Sequence, residues 1–337
     1  MDQAASSSRS TTPTPGLSLT LYGRDGPRAL TLDELPDTPP KDDELLWVDL
    51  DAAADEVVDA VWQALQLGQD IRPRRPLETY PGLWKFRKYF AARVVSVEVG
   101  EELDYTGTVL TLIGGKNVVV THHEARIEFL AELKAHEEDA LADIGCLGEA
   151  SFVATLLDWH LSTYFAAGAA FEIEIERLET RILSDTPPGR SALPQLRQLR
   201  KAASRLRRML APHRGVFDGL SRPDFVPDGE EQVFRHLRDL DERYERAMDV
   251  VENARELVVG SFQLFSTQTE LQTNERMKLL TFVTVVTGLL AVVAGALGMN
   301  FEANFFASKT LGFWVAVAMM ASMALVAVAI GKRKRWF

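Results

Sequence analysis

Leu279-Leu280-Thr281-Phe282-Val283-Thr284-Val285-Val286-Thr287-Gly288-Leu289-Leu290-Ala291-Val292-Val293-Ala294-Gly295-Ala296-Leu297-Gly298-Met299 carries no ionisable side chain. A second run of the same kind, Leu311–Ile330, follows a short loop that opens Gly298-Met299-Asn300. At ~1.5 Å per residue, each run of about twenty residues covers a bilayer core of ~30 Å. Two such runs in tandem predict a membrane hairpin. Everything before about residue 275 is polar enough to be soluble. The expected organisation is therefore a large water-facing part joined to a small membrane part.

Charge orients the hairpin. Arg276 and Lys278 precede the first run, and Lys332-Arg333-Lys334-Arg335 follow the second, whereas the loop holds Glu302 and Lys309. By the positive-inside rule both termini and the soluble part lie in the cytoplasm of a cell (inner) membrane protein. Trp314 and Trp336 fit interfacial anchors.

Composition narrows the function classes. The chain has 337 residues, a formal net charge of −11 and 46% hydrophobic residues, enough for a soluble core besides the spans. An acidic balance argues against nucleic acid, whose phosphates require clustered Lys and Arg. Cys146 is the only cysteine, so no disulfide can form within the chain, which suits a reducing compartment. No apolar stretch near the start reads as a signal peptide; residues 1–16, rich in Ser, Thr and Pro, read as a disordered tail.

Residues 17–122 read as a cytoplasmic α/β domain. Strands are expected at Leu17–Tyr22, Leu45–Leu50, Ala91–Val99, Thr106–Ile113 and Val118–Thr121, with a helix over Ala54–Leu67. Gly114-Gly115-Lys116-Asn117 reads as a hairpin turn; it lacks the spacing of a phosphate loop, and no helix opens after it. Residues 123–229 read as a helical region. Helices are expected at Arg126–Leu141, Gly148–Leu183 and Leu193–Leu210, with a break at Thr186-Pro187-Pro188-Gly189. The basic face Arg197, Arg200, Lys201, Arg205, Arg207 and Arg208 is expected to complement Glu172, Glu174, Glu176 and Glu179 on an antiparallel neighbour. His122-His123, adjacent on a strand, would point to opposite faces and make a poor chelate; a surface role is expected.

From residue 230 a stalk helix is expected to run unbroken to 299, its last part (about 279–299) being transmembrane helix 1. It would have ~70 residues and a length on the order of 100 Å. Val233, Leu237, Leu240, Tyr244, Ala247, Val251, Ala254 and Val258 recur at alternating three and four, the spacing of a supercoiled seam. An external loop at 300–310, transmembrane helix 2 at 311–330 and a basic cytoplasmic tail at 331–337 complete the chain. The fold class is thus an α+β cytoplasmic domain followed by a long stalk helix and two transmembrane helices.

Two spans cannot enclose a water-filled path, so a pore would need several copies around an axis. Asn274, Met277, Thr281, Thr284, Gly288, Ala291, Gly295 and Gly298 follow helical spacing along one face of the first span. Such a small or polar stripe either faces water or permits close helix packing in lipid. The second span, rich in Ala, Val and Met, is expected to face lipid.

Asn274-Glu275-Arg276-Met277-Lys278-Leu279-Leu280-Thr281 and Ala294-Gly295-Ala296-Leu297-Gly298-Met299-Asn300-Phe301-Glu302 resemble the first membrane helix and signature tripeptide of CorA-type divalent-cation channels. Weaker echoes are Trp47-Val48-Asp49-Leu50, Arg75-Pro76-Leu77-Glu78, Thr121-His122 and Leu210-Ala211-Pro212-His213-Arg214. The resemblance implies a funnel-shaped homopentamer that moves hydrated Mg2+ into the cytoplasm through a pore lined by the first span. Gly298, Met299 and Asn300 would form the selectivity filter, with Asn300 contacting the hydrated ion. Asn274 would ring the inner end and Leu280 the inner constriction. An acidic residue of the stalk, Asp239 by position, would bind a regulatory Mg2+ between subunits. Gly288, Leu289 and Ala291 depart from the family pattern of Met, Pro and Thr, which implies a wider or relocated gate. The loop after Glu302 also departs, leaving open the zinc-handling ZntB-like branch and transport of Zn2+, Co2+ or Ni2+.

No enzyme is expected: no nucleophile–base pair, Cys/His metal set or dinucleotide loop survives its context. No prosthetic group is implied; the ion is cargo. A further possibility is a membrane-anchored sensor or scaffold that conducts nothing. Neither span holds an intramembrane proton relay.

Overall fold

The computed structural model of the protein describes residues 14–24, 26–35, 39–41, 43–68, 80–135, 148–184, 192–225, 231–298 and 310–333. The chain forms two compact units, Met1–Glu176 with Pro194–Val259, and Arg177–Leu193 with Gly260–Phe337. Cys146, the Pro187-Pro188 break, Arg75–Glu78, Met299, Asn300, Lys334, Arg335 and Trp336 lie outside the described residues.

The first unit is built on a seven-stranded mixed sheet in the order β2-β1-β3-β7-β6-β5-β4. The strands are β1 Leu17–Gly23, β2 Gly26–Ala29, β3 Leu45–Asp51, β4 Gly82–Lys85, β5 Phe90–Val99, β6 Tyr105–Gly115 and β7 Val118–His123. All neighbours pair antiparallel except β3 and β7, where Trp47 lies opposite Val119 and Asp51 opposite His123. Helix α1, Asp55–Ala64, supplies the crossover after β3.

Alternation along the strands sorts side chains onto two faces. Leu46, Val48 and Leu50 join Val58, Val61 and Trp62 of α1 in one apolar cluster. Trp47 and Asp49 point the other way, toward α2 (Glu128–Ala135) and α3 (Glu149–Ser184). There the Trp47 ring meets Phe152 edge-on at 5.4 Å. The Tyr164 hydroxyl donates to the Val95 carbonyl at 2.6 Å, and Tyr105 donates to the Ala167 carbonyl at 3.0 Å. The sheet is thus covered on both faces, which is why β3 and β7 read as continuous apolar runs.

Two strands differ from expectation. β2 and β4 are four-residue edge strands, too short to show alternation. The hairpin also closes later than expected, with Gly114 and Gly115 still in β6. The turn itself uses Lys116 and Asn117, both left-handed at φ 53° and 61°, the backbone of a two-residue hairpin loop.

Helix α4, Ala192–Leu210, is followed by a 3-10 turn at Ala211–His213, α5 at Arg214–Leu220 and the long α6 at Glu231–Leu297. Leu237, Leu240, Tyr244, Ala247, Val251, Ala254 and Val258 of α6 are buried and Val233 is half-buried, so the expected seam packs as its spacing implies. In the first unit α3 runs parallel to α6: Arg243 bonds Asp158 at 2.9 Å, and further along Gly168 faces Val250. A Cβ on Gly168 would sit 2.3 Å from Val250 Cγ1, so glycine permits this approach.

Two arginines of the α4 basic face find partners outside α3. Arg205 bonds Asp104 at 2.6 Å, Arg207 lies 3.6 Å from Glu252 of α6, and the Gln198 amide donates to the Glu102 carbonyl. Leu196, Leu199, Ala203, Leu206 and Leu210 turn inward, so the basic face looks outward to whatever stands beside it.

In the second unit Ser261 of α6 donates to Glu179 of α3. α6 continues through its apolar half, and α7 spans Thr310–Arg333. Their most apolar windows have mean hydropathies of 2.3 and 2.4. Both helices are long and apolar enough to cross a membrane.

Candidate functional site

Two stripes divide the apolar half of α6. Phe282, Val286, Leu290, Val293 and Leu297 are half-buried within the chain. Asn274, Met277, Leu280, Thr281, Thr284, Gly288, Ala291 and Gly295 are exposed. At ~100° per residue the Thr281–Gly295 stripe is centred about 180° from the half-buried one. The small and polar stripe therefore faces away from the covered side, on a broad uncovered surface that also carries Val285, Leu289 and Val292. A Cβ added at Gly288 or Gly295 would meet nothing within 4 Å. On α7 the shielded side is again a single stripe: Gly312 and Gly331 buried, with Ala316, Met320, Met323, Ala324 and Ala327 half-buried.

Two threonines of the span satisfy their own hydroxyls. Thr284 donates to the Leu280 carbonyl and Thr287 to the Val283 carbonyl, each at 2.8 Å. Such back-bonding lets a hydroxyl lie in an apolar helix without an orphaned donor, while its oxygen can still accept from water. The α-helix ends at Leu297, and the Gly298 N–H still reaches the Ala294 carbonyl at 3.0 Å. Met299 and Asn300 come directly after this last described turn.

Asp239 lies exposed on α6, about eleven turns before the apolar half begins. Of the cations interleaved with it in sequence, Arg235 and Arg238 are exposed, while Arg243 turns to Asp158 and Ser162 of α3. Asp241 is held above the usual carboxylate range by partial burial and by the nearby Asp218. Among the described residues no group of three His, Cys, Asp or Glu is arranged to hold a metal ion.

Residues 42–333 match the family described as CorA-like Mg2+ transporter protein. The chain belongs to this family. The cobalt/magnesium transport protein CorA of Thermotoga maritima is 30% identical over 182 residues, 54% of this chain and 51% of that protein. The chain thus spans about half the length of that curated relative in the matched region. Among solved structures, the complete CorA magnesium transporter from Methanocaldococcus jannaschii superposes with a TM-score of 0.74 at 20% identity, covering 97% of this chain and 100% of that one. The full-length CmaX protein follows at 0.67 and 21% identity, with coverage of 97% and 100%. These likenesses establish that the CorA fold extends through both apolar helices.

One buried group escaped the sequence reading, and its surface assignment is corrected. His123 is only 2% exposed and Asp49 1%. His123 Nε2 lies 3.2 Å from Asp49 Oδ1, and Lys134 of α2 bonds Asp49 Oδ2. Thr121 donates to Asp49 and itself accepts from Trp47 Nε1 at 3.1 Å. Burial alone would raise the Asp49 carboxyl; the His123 hydrogen bond and the Lys134 charge outweigh it and hold Asp49 below its usual range. Burial likewise opposes the His123 charge, but Asp49, the Ala125 carbonyl and Asp51 raise the ring above its ordinary value. Alternation alone places Trp47 and Asp49 on one face and His123 on the same side of β7. The return of Lys134 from α2 has no signal in the local sequence.

Proposed function

We propose that several copies of this chain, five by family resemblance, surround a water-filled axis lined by the apolar half of α6 and pass hydrated Mg2+ into the cytoplasm. One observation carries the proposal: the stripe Thr281, Thr284, Gly288, Ala291 and Gly295 is small or polar and faces away from the side its own chain covers. A stripe exposed to lipid tails alone would gain nothing from two threonines and two glycines, whereas one turned toward neighbouring copies around an axis gains close approach, width and oxygen atoms. Asn300 stands at the outer mouth, with Gly298 and Met299 shaping the turn. Asn274 rings the inner end and Leu280 narrows it. Lys332 and Arg333, in the last turn of α7, favour a cytoplasmic C-terminal end.

The chemistry suits a hard ion. Mg2+ dehydrates reluctantly, and carboxamide or carbonyl oxygens accept hydrogen bonds from its water shell without stripping it. Softer metals favour His or Cys ligands, and the stripe has neither. With no ionisable side chain in either span, membrane potential suffices as the driving force, at ~4.6 kcal/mol per 100 mV for a divalent ion. Asp239 would hold a regulatory Mg2+ between neighbouring stalks.

Flux into proteoliposomes tests the scheme. Mg2+ entry should follow an inside-negative potential, ignore a pH gradient and fall at least tenfold in Asn300→Ala. Asp239→Ala should need more internal Mg2+ to shut. No flux in the parent, or unchanged flux in Asn300→Ala, would overturn the pore. Zn2+ entry that tracks the pH gradient would move the protein to the zinc-handling branch.

A further inference from the structure

The carboxyl ends of the two parallel strands meet at a set of charges that ion passage along α6 does not use. β3 brings Asp49 and Asp51, β7 brings Thr121 and His123, and the loop into α2 brings the Ala125 carbonyl. α2 returns Lys134, whose ammonium also lies 5.9 Å from the Trp47 ring centroid. An open cavity of about 340 Å3 adjoins this cluster, lined by Asp51, His123, Arg126, Leu130 and Lys134 among others.

We propose that His123, Asp49 and Lys134 form a pH-operated clamp that fastens α2 and the loop entering it to the ends of β3 and β7, closed while the His123 ring carries both protons. The geometry requires the doubly protonated ring. Nε2 faces the Asp49 carboxylate at 3.2 Å. Nδ1 faces the Ala125 carbonyl at 2.8 Å and Asp51 Oδ1 at 3.4 Å. Every one of these partners is an acceptor, so each ring nitrogen must donate. A neutral imidazole has one N–H and one lone pair. If it keeps the proton on Nε2, a lone pair confronts the Ala125 carbonyl. If it keeps the proton on Nδ1, a lone pair confronts a buried carboxylate. Either contact is repulsive, the one with the buried Asp49 carboxylate the more so because little water screens it there.

Losing one proton therefore pushes the loop at Ala125, and with it the entry to α2, off the strand ends. The proton leaves from the Nδ1 side, where Asp51 is part-exposed and the cavity opens to solvent. Lys134 keeps its bond to Asp49 and holds the far end of α2. The sign follows from the raised ring: its contribution is complete below the unfolded value of about 6.5 and is lost as pH rises through the folded one. Asp49, held low, sets the acid limit and loses its contribution only as pH falls through its own depressed value.

Hydrogen–deuterium exchange of the full chain in lipid nanodiscs tests the clamp. Peptides covering residues 118–135 would be followed from pH 6 to 9.5 and corrected for intrinsic exchange rates. Protection at 124–135 should hold to about pH 6.5 and then fall, by up to tenfold per pH unit, while α3 peptides stay level. His123→Gln should abolish the fall. Lys134→Met should lower protection at every pH and keep it. Flat protection in the parent, or an unchanged fall in His123→Gln, would overturn the proposal; neither readout depends on ion passage.

Discussion

His213 shows how one side chain can set an acid limit for the first unit. Its Nε2 accepts from the Val95 N–H at 2.8 Å and its Nδ1 faces the Leu210 carbonyl at 3.0 Å, which is the bonding of a neutral ring. Burial pushes His213 down to about 4, and it pushes His160, whose ring lies 5.1 Å away, down as well. The unfolded chain takes up these protons near pH 6.5, but the folded chain does not, so stability is lost as pH falls from there. For His213 alone the loss by pH 5 is about 2 kcal/mol. The melting temperature should drop by several degrees between pH 7 and 5, and His213→Gln should remove a good part of that slope; an equal slope in both proteins would refute the assignment. His123 has the opposite sign because its neighbours are acceptors rather than one donor and one acceptor. That contrast could not be read from the sequence, where each histidine is only an imidazole. What decides its charge is which backbone groups the sheet register and the α4–α5 elbow bring to it.

At the scale of elements, periodicity was informative wherever an element was long enough to repeat. The α6 seam follows from three-and-four spacing because each of its positions meets the same packed side of the first unit. The edge strands β2 and β4 gave no such signal: Gly26-Pro27-Arg28-Ala29 carries no alternation, and what makes it a strand is the neighbouring backbone of β1. The charges on α4 did not name Asp104 and Glu252 as partners for a related reason. Charge patterns say which side of a helix is wet, not which neighbour will stand opposite. The ion pairs along α6 differ accordingly in worth. Arg207–Glu252 is half-exposed on both sides at 3.6 Å, and exposed pairs of this kind contribute ~0–1 kcal/mol. Arg243 is more enclosed: besides Asp158 it donates to Ser162 at 2.8 Å and lies 5.4 Å from the Phe165 ring. Arg243→Met should therefore cost about 1–2 kcal/mol, after discounting for a group still one-third exposed, and Arg207→Gln no more than about 0.5. Denaturant titration of the two variants beside the parent checks the order; equal losses would show that enclosure does not govern these pairs.

At the scale of the whole molecule, the membrane hairpin was the most legible part because a bilayer imposes a length and a polarity that no local context can override. Assembly was not legible in the same way, since it depends on surfaces rather than on periods. The uncovered stripe of α6 now makes assembly testable by position. If copies gather about an axis, cysteines on that stripe approach their counterparts in other copies, whereas cysteines on the covered stripe remain against their own chain. The single native cysteine gives a clean background: in Cys146→Ser protein, Thr284→Cys, Gly288→Cys and Ala291→Cys can be compared with Val286→Cys, Leu290→Cys and Val293→Cys. Mild oxidation in membranes should yield disulfide-linked dimers from the first set, with a ladder to higher order when a flexible bifunctional maleimide replaces the oxidant and a second cysteine is present. Equal linking from both stripes would mean that the helix has no preferred axial side. Linking confined to the Val286–Val293 side would place the axis behind the covered face and remove the small-residue stripe from any conduit.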